Sequence, residues 1–542
     1  MSNFNNSKIS SLLPLIIAAS ILFGIFVADF FSANNKNSSL LVPKKIDKLS
    51  LLLDFIASEY VDSISNNELI ELAIPKILES LDPHSIYITA EDAKSMQEEL
   101  SGDFEGIGIQ FNMFKDTLLV VNVIKNGPSE KAGLKAGDKI IFVDSTKIAG
   151  VGIKNEEVIK MLKGPAKTNV DLKILRKNSK RLLNFSIIRD KIPLYSVDAA
   201  YKLAPKTAYL KIAYFAANTH SQFVDAMFTL QKTGLDTIVL DLRDNSGGYL
   251  TAATDILDEF FPKDIDLVYT EGRARQKQFV KSTSKRNYCQ NMEIIVLINE
   301  FSASASEIVA GAIQDNDRGF IIGRRSYGKG LVQEATTFND GSVIRLTTAR
   351  YFTPSGRCIQ KPYEHGADEY NLEVYNRFLN GEFLDKDSIK LNDSLIFYTK
   401  NKRPVFGSGG IMPDIFVPID TSGYTDAYGK ISRNNLDYIF SIEYVKENRS
   451  RLEKIKSTNE LLRFLKKDAV LQKFYNYLSE NNITVSQRDI RISGKYIENN
   501  LYAYIARQIL GDSSFYEISN TIDPVIDTVM NVIRNNRKLI EK

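Results

Sequence analysis

Ser302, Ser304 and Ser306 alternate with Ala303 and Ala305, directly after a β-branched apolar run at 294–298 and directly before a helical pattern at 308–313. That order reads as strand, tight turn and helix start. A serine at such a junction stands at the carboxyl edge of a sheet, beside helix amides that can hold negative charge. It suits a nucleophile, although serines also serve simply as helix caps. The residue types alone do not choose among the three.

A serine needs a base. The chain has three histidines, His84, His220 and His365, so a Ser-His mechanism has three candidates. His84 follows Pro83 in a turn, His220 opens a helical pattern, and His365 sits in a polar segment. The other candidate is Lys329, held between Gly328 and Gly330. A lysine acts as a base only when neutral. With a reference pKa near 10.4, roughly one molecule in a few thousand is neutral at pH 7, so burial must lower it by about two to three units at a cost of about 3 to 4 kcal/mol. Residues 323–329 also read Gly-x-x-x-x-Gly-Lys, but Gly330 stands where a phosphate-binding loop needs Ser or Thr, and a strand rather than a helix follows. Nucleotide binding is therefore set aside.

The elements that must carry these residues follow from the periodicity. After Pro193, strands at 208–213, 237–242, 293–298, 319–323 and 343–351 alternate with helices at 221–231, 252–260 and 304–314, which predicts an α/β domain with a mostly parallel sheet. Sites in such sheets lie at the carboxyl ends of strands. Three loops meet that condition: Arg243-Asp244-Asn245-Ser246-Gly247-Gly248, the serine turn, and the loop bearing Lys329.

Upstream, residues 101–190 are β-rich. Pro128-x-x-x-Ala132-Gly133-Leu134-x-x-Gly137-Asp138 resembles the signature of PDZ domains, and Gly106-Ile107-Gly108-Ile109 matches the loop with which that family holds a peptide's terminal carboxylate. Residues 36–100 read as helical, broken at Leu81-Asp82-Pro83-His84-Ser85. Residues 12–28 carry no charge and as a helix would span about 26 Å, close to the ~30 Å hydrocarbon core. The expectation is a single-pass, uncleaved anchor within residues 1–35, in the inner (cytoplasmic) membrane, with the catalytic part exported to the periplasmic side. The lysines that follow the span argue against export by the positive-inside count, but long domains cross largely regardless of charge.

At 542 residues the chain predicts three or four domains. Its net charge of +3 gives no reason to expect a nucleic-acid partner. Cys289 and Cys358 fit no zinc spacing, and whether they pair is open.

Taken together, Ser302 to Ala312, Tyr327-Gly328-Lys329-Gly330 with Gln333, Asp241 to Gly248, Tyr351-Phe352-Thr353-Pro354-Ser355-Gly356-Arg357 and Gly410-Ile411-Met412-Pro413-Asp414 resemble the carboxyl-terminal processing, or tail-specific, serine peptidases. The resemblance covers residues from about 50 to 420. It implies a multidomain α/β protein with a peptidase core of the ClpP/crotonase type at 191–420, an enzyme that cuts near C-termini through an acyl-enzyme, and no cofactor or metal. It implies Ser304 as nucleophile, Lys329 as general base, Gln333 as the residue orienting that lysine, and an oxyanion hole from the amides of Ala305 and Gly247, with Gly248 the second choice. Partners would be protein or peptide substrates with free C-terminal tails. The competing expectation is a catalytically silent membrane adaptor that binds tails through its PDZ unit. Two segments depart from the family pattern, an insertion at about 361–406 and a helical extension at 421–542. The extension's periodicity predicts a packed bundle that could also form a homo-oligomer or dock an adaptor.

Overall fold

The computed structural model describes residues 48–535 apart from 114–115, 177–178, 180, 233, 284–287 and 391–392. The anchor expected at 12–28 lies outside the described residues, and among those described no helix is long and apolar enough to cross a membrane. The chain divides into two compact units, one ending at Ile77 and one beginning at Leu78. The first holds the helix Lys48–Glu59 and most of Asn66–Glu79, joined by Asn66 Nδ2 donating to Asp54 Oδ1 at 2.9 Å.

The centre of the second unit is a six-stranded sheet. Its order is Val197–Ala204, Thr207–Ile212, Thr237–Asp241, Glu293–Ile298, Phe320–Gly323 and Ile415–Phe416, with only the first strand antiparallel to its neighbour. The interior strands are apolar without alternation because both faces are covered. Leu210, Leu240 and Val296 point to one face and pack against the helices Thr219–Gln231, Leu250–Leu257 and Ala305–Asp315. Tyr209, Val239, Ile295 and Leu297 point to the other, where Val525, Ile526 and Val529 of the helix Pro524–Asn535 cover them. The C-terminal extension thus supplies a layer over this central sheet.

A second sheet joins Ile86–Ile88, Val343–Phe352, Asp266–Gly272 and Arg275–Lys281, with Leu331–Thr337 paired to Val343–Phe352 as a long ribbon. The strand Ile86–Ile88 corrects the helical reading of that stretch: beyond the Pro83 turn, three residues gain a ladder with Arg345, Ile344 and Val343. The PDZ unit has the sheet order Ile109–Met113, Leu118–Val123, Lys139–Val143, Asn169–Leu175 and Leu183–Ile188, with the helix Asn155–Leu162. The insertion is ordered, with a helix Ala367–Leu379 and a hairpin Ile396–Tyr398/Pro404–Phe406. In the extension, helices from Asp426–Arg433 to Asp512–Ser519 enclose a core that includes Ile431, Phe474, Leu501 and Ile505. Cys289 and Cys358 are both free thiols.

Candidate active site

The strand Glu293–Ile298 ends in a turn, and Ser304 starts the helix Ala305–Asp315 at φ 55° and ψ −113°. A positive φ on a serine costs on the order of 1–3 kcal/mol, and the surroundings enforce it. Ser302 and Ser306 are both fully buried. The Ser302 hydroxyl donates to the Leu242 carbonyl at 2.8 Å, and that of Ser306 to the Asn245 carbonyl at 2.9 Å. These two serines fasten the turn to the 242–248 segment, and Ser304, half-buried between them, lines a cleft of about 680 Å³. Asn299 completes the fastening, with its Oδ1 accepting from the Asp244 amide at 2.9 Å and its Nδ2 donating to Asp244 Oδ1 at 2.8 Å.

Lys329 lines the same cleft, and its Nζ donates to Gln333 Oε1 at 3.0 Å. Gln333 Nε2 in turn donates to the backbone carbonyl of His84. That carbonyl is held by the Asp82 carboxylate, which accepts from the His84 amide at 2.8 Å, the Ser85 amide at 2.9 Å and Thr347 Oγ1 at 3.1 Å. The 81–85 turn therefore sets the amide orientation of Gln333 and, through it, the lysine. Burial, with the Arg345 charge adding to it, lowers the Lys329 pKa to about 8. Among the described residues no histidine lines the cleft. The His84 ring meets the Tyr370 hydroxyl at 2.7 Å, and burial and the nearby Lys329 charge lower its pKa to about 4. His220 is paired with Glu259 at 2.7 Å.

Two further residues join the loops. Glu307 is fully buried, and its carboxylate accepts from the Ser304 amide at 2.8 Å, Ser326 Oγ at 2.5 Å, the Gly328 amide at 2.7 Å and the Lys329 amide at 2.9 Å. Burial pushes its pKa up to about 7 against the pull of those donors. The buried Tyr351 hydroxyl meets the carbonyls of Ser304, at 3.1 Å, and of Lys329. Sequence reasoning placed both inside the matching motifs but gave neither a role. The spacing Ser304-x-x-Glu307 is a capping-box signal that could have flagged the glutamate, whereas nothing local flags Tyr351.

In the Gly-Gly loop, the Gly247 amide donates to Asn245 Oδ1 at 2.9 Å, so that amide is already committed. Among the described residues no protein acceptor is seen for the amides of Gly248 and Ala305. Gly248 lies at φ 140°, and a Cβ there would come within 2.1 Å of the Phe215 carbonyl oxygen, so only glycine fits. Behind this loop, Arg243 is clamped between Asp241 and Asp523 of the extension, at 2.6 Å to each. Although burial pushes Asp241 up, Arg243 and Lys211 hold it below the usual carboxylate range.

In the PDZ unit, Gly106 ends the strand Asp103–Gly106 and pairs with Asp190, while Ile107, Gly108 and Ile109 line a groove of about 220 Å³ with Phe111 and Ile159. The Ile107 and Gly108 carbonyls accept from the Ser129 and Ile124 amides, both at 3.0 Å. The strand Ile109–Met113 is the sheet's edge, and its outer side can accept an added peptide strand. Among the described residues no cluster of His, Cys, Asp or Glu could hold a metal ion.

The family model described as "Peptidase family S41" matches residues 206–367, and a PDZ-domain model matches 106–187. The carboxy-terminal processing protease CtpB of Bacillus subtilis (strain 168) is 34% identical over 374 residues, 66% of this chain and 76% of the relative. The chain belongs to family S41. It is a carboxyl-terminal processing serine peptidase with a PDZ domain. The carboxy-terminal-processing protease of Bartonella bacilliformis is 37% identical over 340 residues, 62% of this S41 chain and 76% of the relative. Among solved structures, the photosystem II D1 C-terminal processing protease is 24% identical and covers 70% of this chain and 90% of its own, with a TM-score of 0.33. Residues 427–511 of the extension match a family of unknown function.

Proposed function

We propose that this S41 peptidase cuts peptide bonds by a Ser304/Lys329 acyl-enzyme mechanism. The observation that carries the reading is Lys329 lining the cleft beside Ser304, with its Nζ on Gln333 Oε1 and its pKa lowered to about 8. Neutral Lys329 takes the Ser304 hydroxyl proton as Oγ bonds to the scissile carbonyl carbon. The amides of Ala305 and Gly248 hold the oxyanion, Gly248 replacing Gly247 because the latter's donor is spent on Asn245. Collapse breaks the C–N bond, and Lys329 returns the proton to the leaving amine. Water, deprotonated by the same lysine, then releases the acyl group.

Substrates are proteins with free, apolar C-terminal tails, which add to the Ile109–Met113 edge while the loop Gly106, Ile107, Gly108, Ile109 takes the terminal carboxylate. The uncharged stretch 12–28 supports an inner-membrane anchor, and the catalytic unit is placed on the periplasmic side because long domains cross largely regardless of charge. Cleavage of a peptide with an apolar free C-terminus tests the mechanism. Ser304→Ala and Lys329→Ala should each abolish it with the fold retained, and amidating the tail should weaken it in the wild type. Full activity in either variant sinks the mechanism. Tail binding without any cut by the wild type would make this chain a silent adaptor.

A further inference from the structure

Among the described residues, the charged side chains that line the cleft besides Lys329 are Glu99, exposed on the helix Ala90–Ser101, and Arg345 on the ribbon. The mechanism above uses neither as a contact. In the ribbon, Gln333 lies opposite Thr347, Ala335 opposite Arg345 and Thr337 opposite Val343. Alternate strand residues share a face, so Gln333, Ala335, Thr337, Val343 and Arg345 form one surface, and all five line the cleft. Arg345 is one rung beyond Gln333, roughly 7–8 Å away on the diagonal.

Arg345 differs from the other buried and part-buried arginines near the site. Arg243 is paired with Asp241 and Asp523, Arg324 with Glu300, Arg325 with Glu382, and Arg357 with Asp315. Among the described residues no carboxylate pairs with Arg345, whose Nη1 lies 3.6 Å from Met96 Sδ, a weak acceptor. Burial lowers its pKa. A desolvated guanidinium facing a peptide-binding cleft retains a fork of donors matched to a carboxylate.

Resting on the reading of this cleft as the site of cutting, we propose that Arg345 binds a carboxylate of the peptide laid along the ribbon, so the peptidase selects substrates with an acidic group a few residues from the cut bond. That group is either an acidic side chain or the tail's own terminal carboxylate. Both present the same two oxygens to Arg345, and only the second would also be a ligand of the PDZ loop.

The test uses the full chain and apolar-tailed peptides that differ by Glu or Gln at each position flanking the cut bond, each with a free or amidated end. Wild type should prefer Glu over Gln at one position by about tenfold in kcat/KM, a factor expected of one charge-assisted contact. Arg345→Gln should bring that ratio near one, and Arg345→Lys should keep most of it. If the free-to-amidated ratio collapses in Arg345→Gln instead, the carboxylate is the tail's own, which also supports the proposal. Binding ratios for the same peptides with Ser304→Ala and with Ser304→Ala/Arg345→Gln give the same answer without turnover, should Arg345→Gln be inactive. The proposal is overturned if wild type shows no Glu preference at any position and Arg345→Gln leaves the free-to-amidated ratio unchanged. A wild type that cuts none of the peptides overturns the peptidase mechanism first, and this inference with it.

Discussion

The titration of Lys329 is the most direct handle on the mechanism. Its pKa is lowered to about 8, first by burial and then by the Arg345 charge, with Glu307 and Asp82 opposing. A base must be neutral, so if Lys329 is the base, activity should rise with pH. About 1% of such a lysine is neutral at pH 6, about 10% at pH 7 and half at pH 8, against roughly 0.03% at pH 7 for an ordinary lysine. For a peptide without groups titrating in this range, kcat/KM, which reports the free enzyme, should therefore climb about fiftyfold between pH 6 and 8 and level off near pH 9. Arg345→Gln removes the second cause and should move the midpoint upward, and Lys329→Arg should abolish cleavage because a guanidinium does not deprotonate.

The same shift has a stability consequence. The folded pKa lies below the unfolded one, so holding Lys329 costs up to about 3 kcal/mol below pH 8, and the cost disappears as pH rises from 8 towards 10.5. Lys329→Met should therefore be inactive yet more resistant to denaturant at pH 7, by up to that amount, with the gain shrinking at pH 10. A flat pH–rate profile between 6 and 9, or a midpoint above 10, would refute the assignment of Lys329 as the base.

Two other perturbations probe the supports. Each Glu307 oxygen accepts two donors, so Glu307→Gln turns an amide group towards two of the four, and each buried donor left orphaned costs about 1–3 kcal/mol. Hydrogen exchange of the Gly328 and Lys329 amides should accelerate at least about tenfold, with kcat falling alongside; unchanged exchange would show that the carboxylate does not hold the loops. Asp523→Ala frees one side of Arg243 at a local cost of about 1.5–3 kcal/mol. Because Arg243 leads into the Gly-Gly loop, kcat should drop by about tenfold while KM stays within about twofold; a change in KM alone would place the extension's effect elsewhere.

Several features were legible in the sequence because they are local. The run at 294–298 is a strand because it is apolar and β-branched, and the helix follows because small residues and Glu307 begin it. The glycines around Lys329 gave the loop, and the PDZ strands and turns followed from alternation and turn chemistry. Spacing and family resemblance singled out Ser304 from its neighbours, whereas the different burial of the three was not legible: Ser302 and Ser306 face inward and spend their hydroxyls on the 241–248 segment. What the sequence could not show is everything that depends on distant chain meeting in space. Gln333 looks like an ordinary strand residue until its amide reaches the His84 carbonyl, 249 positions away. The commitment of the Gly247 amide depends on how the Asn245 side chain folds back. The insertion looked inert, yet its Tyr370 contacts the His84 ring. The extension read as a packed bundle, and its periodicity gave no sign that Val525, Ile526 and Val529 cover one face of the peptidase sheet or that Asp523 pairs with Arg243 behind the Gly-Gly loop. Periodicity reports which face of an element is apolar, but which partner covers that face is decided only by the packed chain.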